Sequence, residues 1–128
     1  MMDTRQSQLR EVFARHSTPF AYGGADCVTM ARDAMETLTG RPLNLPVWHD
    51  EASAAAVIAR YGSLHAAVAH VLGTPATAPA QDGDVVLVRS PDGTEMCGVW
   101  AAGRPCVRAR NGVVPMPARW ATAHWRTS

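Results

Sequence analysis

The apolar periodicity of this chain changes once, near Gln81, from helical spacing to β-branched runs, and that change limits the fold more than any other feature. Before it, Leu9, Val12, Phe13 and, one step later, His16 predict a first helix over about residues 4 to 17, closed by Pro19. A second helix is expected to begin at Cys27 and carry Val28, Met30, Ala31, Ala34, Met35 and Leu38, with its stop at Gly40-Arg41-Pro42. Asp50 is placed to cap a helix from Glu51 to about Tyr61 that Gly62 ends, and Ser63 a shorter one ending at Gly73. After Gln81, residues 84 to 88, 96 to 101, 106 to 109 and 113 to 114 read as strands. Ser90-Pro91-Asp92-Gly93 supplies one turn and Asn111-Gly112 a hairpin. Trp120 and Trp125 close the chain. Helices followed by strands is the α+β pattern, and 128 residues suffice for one domain, residues 1–128.

Charge narrows the classes of partner. The formal net charge of +1 gives no field to steer a nucleic acid, so none is expected. All twelve basic residues are arginine, which reads as coding bias. No apolar stretch approaches the roughly 20 residues needed to cross a bilayer, and the polar start Met1-Met2-Asp3-Thr4-Arg5 does not resemble a signal peptide. Synthesis in a cytoplasm without membrane insertion is therefore expected. Cys27, Cys97 and Cys106 are an odd set without metal-ligand spacing, so no disulfide framework, metal or cofactor is expected.

Chemistry concentrates at Phe20-x-Tyr22-Gly23-x-x-Asp26-Cys27, which runs straight into a predicted helix. A thiol there feels the positive end of the helix dipole, which favours thiolate, the form that attacks a carbonyl. Neighbouring backbone N–H groups could hold an oxyanion. Cys27 is thus the candidate nucleophile and Asp26 the residue that caps and orients its helix. The competing reading is packing, the commonest role of a lone cysteine.

The order of a glycine-bearing loop, Asp26-Cys27, a helix, and then Gly83-Asp84-Val85-Val86-Leu87 resembles the NlpC-type, papain-like cysteine peptidases of bacterial cell walls. The segment Tyr22-Gly23-x-x-Asp26-Cys27, the Gly-Asp strand and the Trp125-Arg126 ending are more similar still to phage and prophage tail-associated domains of that type. The resemblance implies an NlpC-like domain, with Cys27 as nucleophile and a catalytic histidine opening the strand after Gly-Asp. The matching stretch is Met96-Cys97-Gly98-Val99-Trp100, with Met96 in the histidine's place. A methionine cannot act as general base, work typically contributing about 10² to 10⁴ in rate.

What the resemblance implies is accordingly a phage or prophage tail or tail-tip structural protein, catalytically degenerate, with other tail proteins as partners and incorporation in the virion. The alternative is an active peptidase cutting peptidoglycan peptides with Cys27. That alternative needs another base, and His49 in Pro46-Val47-Trp48-His49-Asp50 is the substitute candidate.

The remaining polar residues have plainer readings. His65 and His70 are expected as partly exposed residues of an amphipathic helix, and His16 and His124 near element ends in solvated or capping roles. Cys97 and Cys106 are expected in the core on neighbouring strands, in positions that could face one another. Asp82 and Asp84 fit turn chemistry. Arg104, Arg108 and Arg110 are expected on a solvated strand face, and the tryptophans in the core or as interface anchors.

Overall fold

The computed structural model describes residues 4–17, 27–41, 50–110 and 112–126. Over these it is an α+β structure: α1 (Thr4–Arg15), α2 (Cys27–Thr39), α3 (Glu51–Tyr61) and α4 (Leu64–Leu72) precede strands β1 (Val85–Arg89), β2 (Glu95–Ala101), β3 (Arg104–Ala109), β4 (Gly112–Pro115) and β5 (Ala121–Trp125). The strands form one antiparallel sheet in the order β4-β3-β2-β1-β5.

Local chemistry sets the helix ends. Asp50 accepts the Ser53 N–H at 2.7 Å while the Ser53 hydroxyl accepts the Asp50 N–H, a reciprocal cap on α3. Gly62 closes that helix at φ +96°, donating to Ile58 O. Ser63 Oγ accepts the Ala66 N–H at the start of α4, and Glu95 Oε1 on β2 accepts the Leu64 N–H at 3.2 Å. A carboxylate thus sits at the positive end of α4 and pins it to the sheet.

Alternation along the strands gives the sheet two unlike faces. Val85, Leu87, Cys97 and Val99 lie under the helices, packed with Leu9, Val12, Val28, Met30, Ala31, Ala34 and Met35. Val86, Val88 and Val107 point the other way, against half-buried Met96, Trp100, Met116, Trp120 and Ala121. Gly98 belongs to this second set, opposite Val107. A Cβ on Gly98 would collide with the Cys106 carbonyl, so only glycine lets β3 approach β2 here.

The chain crosses from β4 to β5, opposite edges of the sheet, between Met116 and Ala121. Four interstrand gaps of about 4.8 Å would separate flat edges by about 19 Å. Five residue steps reach about 18 Å at most when fully extended, and the 3₁₀ turn at Ala118–Trp120 shortens them further. The sheet is therefore curled about the face this segment crosses, where Met116 and Trp120 cover the valines.

Several expectations are corrected. Residues 121 to 125 form a fifth strand beside β1, although Ala-Thr-Ala-His-Trp carries little β-branched signal. Arg108 is not solvated: its register opposite Val113 puts it on the helical face at 4% exposure, and its guanidinium donates to Ala109 O. Arg104 and Arg110 are exposed, as expected. His16 is buried, at 6% exposure. Cys97 and Cys106 are both buried, but Cys106 lies opposite Val99 and Cys97 opposite Leu87, so the two thiols are not cross-strand partners.

Two motifs separated by some forty residues meet in space. Asp84, fully buried, accepts the Gln81 N–H at 3.0 Å and lies 4.0 Å from the Arg126 guanidinium. Trp125 beside it is 2% exposed and donates its indole N–H to Gly73 O. The Gly-Asp opening of β1 and the Trp-Arg ending of β5 are thus two halves of one closure.

Candidate functional site

The helix α2 starts at Cys27, and the described part of this residue is its backbone. This position opens a helix with no acidic residue in its first turn, where the helix dipole favours a thiolate. Asp26 and His49 lie outside the described residues.

Met96 does not stand over α2. Its cross-strand partner is Val88, and its side chain packs with Val88 and Val107 on the face away from the helices. The β2 positions on the helical side are Glu95, Cys97, Val99 and Ala101. Replacement of Met96 by histidine would thus put an imidazole on the far face of the sheet from the helix that carries Cys27.

Each described histidine is engaged elsewhere. His16 Nε2 lies 3.0 Å from Asp33 Oδ2, and Arg15 clamps the same carboxylate through Nε and Nη2 at 3.2 and 3.0 Å. Gln8 bonds to Thr37 O while Arg15 and His16 reach Asp33, so α1 runs antiparallel to α2. Asp33 follows Cys27 by six residues, about 9 Å along the helix axis at 1.5 Å per residue. His16 is held at that level and away from the first turn. His65 meets the Trp125 ring edge at 5.6 Å and His70 the Tyr61 ring at 5.0 Å. His124 Nε2 bonds to Ala78 O, and with Arg126 on Pro79 O it ties the Pro/Ala/Thr loop to β5.

Electrostatics separate the cysteines further. Burial pushes the Cys106 thiol up, and the nearby Asp82 carboxylate adds to this against the opposing effect of Arg104. Cys106 is therefore a protonated core thiol at neutral pH. Partial burial pushes the Asp33 carboxyl up, but hydrogen bonds from Arg15 and His16 outweigh it and hold the group below the ordinary carboxylate range. Among the described residues no three His, Cys, Asp or Glu side chains converge as a metal site. Asp82 Oδ1 instead accepts the Ala102 N–H at 3.0 Å.

Sequence reasoning missed the His16–Asp33–Arg15 cluster and the buried Arg108. The first had a usable signal, since His16 continues the helical spacing of Leu9, Val12 and Phe13 on their apolar face. The second had one in the two-residue alternation of Cys106 and Arg108.

A family model described as a domain of unknown function, DUF6950, matches residues 1–127. A search of curated proteins gave no match.

Proposed function

The chain belongs to the DUF6950 family, and we propose that it is a structural or assembly component of a phage or prophage tail, built on an NlpC-like peptidase fold that no longer turns over substrate. The observation that carries the loss of turnover is the placement of the bases. Met96 occupies the far sheet face, and His16, His65, His70 and His124 are engaged at Asp33, Trp125, Tyr61 and Ala78. A cysteine peptidase needs a base within hydrogen-bond reach, about 3 Å or through one water, to shuttle the proton between thiol and leaving amine.

The tail placement rests on the resemblance of the Tyr22-to-Cys27 segment, the Gly83-Asp84 strand and the Trp125-Arg126 ending. In this reading the protein is made in the host cytoplasm, its partners are other tail proteins, and it is carried in the virion tail. Tails sedimented from an induced lysate should contain the protein at fixed stoichiometry after a salt wash; its release into the soluble fraction alone contradicts the placement.

A second reading keeps the peptidase, favoured by the start of α2 at Cys27. There Cys27 would attack a peptide bond of peptidoglycan, form a thioester and release the amine, with water then freeing the acyl part; His49 would serve as base. Purified peptidoglycan separates the two readings. We expect equal release of soluble fragments by the native chain and by Cys27→Ala. Release that disappears in both Cys27→Ala and His49→Ala would establish the peptidase instead.

A further inference from the structure

The outer edge of β4, together with the groove beside it, carries features that point to one kind of partner. The groove, about 630 Å³, runs between α1 and the β2–β4 part of the sheet, with Leu9, Phe13, Val113 and Pro115 among its walls. Its size falls within the range of ligand and peptide sites. Arg10 and Arg104 line it, both exposed, and among the described residues neither guanidinium group has an ion-pair or hydrogen-bond partner. Asp82, the acidic residue in the same wall, accepts the Ala102 N–H through Oδ1 and leaves the two guanidinium groups in the majority over one carboxylate. An apolar cleft flanked by two unanswered guanidinium groups is complementary to a ligand that is apolar and anionic together.

The backbone narrows this to a peptide. Met116 N–H donates to Pro105 O at 2.7 Å, which fixes the alternation of the β3–β4 ladder. With Val107 opposite Val114 and Arg108 opposite Val113, the N–H and C=O of Val114 turn inward and those of Val113 turn outward. Pro115 adds an outward carbonyl but has no N–H, so the open edge offers one donor and two acceptors. On the opposite face of the same strand, Val114 is 40% exposed and is the one exposed large hydrophobic among the described residues. A strand laid against β4 would send alternate side chains to both faces, one set toward the groove and the other over Val114.

We propose that β4 is the docking edge for an extended segment of a partner protein in which aliphatic and acidic residues alternate, its carboxylates meeting Arg10 and Arg104. The inference rests on the assembly reading only for the existence of a protein partner, and its failure would leave the question of peptidoglycan turnover untouched.

The probe is a short fluorescein-labelled peptide in which aliphatic residues alternate with glutamate, titrated with the full chain and followed by fluorescence polarisation. A matched peptide with lysine in place of glutamate is the control. We expect saturable binding of the glutamate peptide, weaker binding of the lysine peptide, and a loss of about tenfold or more in the R10E/R104E double variant, equivalent to about 1.4 kcal/mol. Hydrogen exchange at the Val113 amide should slow when the glutamate peptide is added. Far-UV circular dichroism of the double variant checks that its fold is kept. Equal binding of both peptides, indifference to charge reversal, or unchanged Val113 exchange would each overturn the proposal. Displacement of the peptide by octanoate with no change at Val113 would reassign the groove to small aliphatic carboxylates.

Discussion

At Asp33 one carboxylate receives Arg15 from the exposed side and His16 from the buried side, joining α1 to α2. Its depressed pKa means that the folded state favours the ionised form. Such a group contributes stability above the ordinary carboxylate value of about 3.9 and loses it as the pH falls through the lower folded value. Asp33→Ala should therefore cost about 1–3 kcal/mol at pH 7, because it leaves the buried imidazole without its partner. Urea denaturation across pH 7 to 3 measures this, with the gap between variant and native chain expected to narrow below about pH 4. A gap independent of pH would assign the cost to packing. Of this cluster the sequence conveyed only the helical position of His16; that Asp33 faces it depends on how α1 and α2 cross, which no local pattern encodes.

Among the elements, those with strong local signals were legible and those held by long-range pairing were less so. Asp50, Ser63 and Gly62 mark helix ends through their own side chains or backbone, and all three act as expected. The segment Ala121–Trp125 is a strand because β1 supplies a free edge beside it, not because of its composition. Gly98 is the opposite case: it looks like a weak point in β2 yet is required by the approach of β3. Gly98→Ala should separate or distort the two strands at a cost of about 1–3 kcal/mol. A drop in the midpoint of thermal unfolding checks this, whereas an unchanged midpoint would show that β2 and β3 part without penalty. Arg108 was misread because a charged residue on a strand suggests solvent. Its alternation with Val107 fixes its side, and that side lies under the helical layer.

For the whole molecule, two layers and a curled sheet place Cys27 at the start of a helix that packs on one sheet face, and put Met96 on the other. The α+β class and the single change of periodicity were readable from sequence. The side of the sheet on which residue 96 lies was not, because it follows from the register between β1 and β2. The groove beside β4 was hidden for a similar reason: its walls come from α1 and from strands some ninety to a hundred residues later. The central proposal is that Cys27, at the start of α2, has no imidazole to share its proton, the described histidines being engaged at Asp33, Trp125, Tyr61 and Ala78. The rate of Cys27 alkylation by iodoacetamide, followed by peptide mass spectrometry from pH 4 to 10, tests this most directly. A lone thiol at a helix start should titrate once, at or below the usual value of about 8.5. Reactivity that persists to about pH 4, with a second inflection lost in His49→Ala, would reveal a thiolate–imidazolium pair and contradict the account.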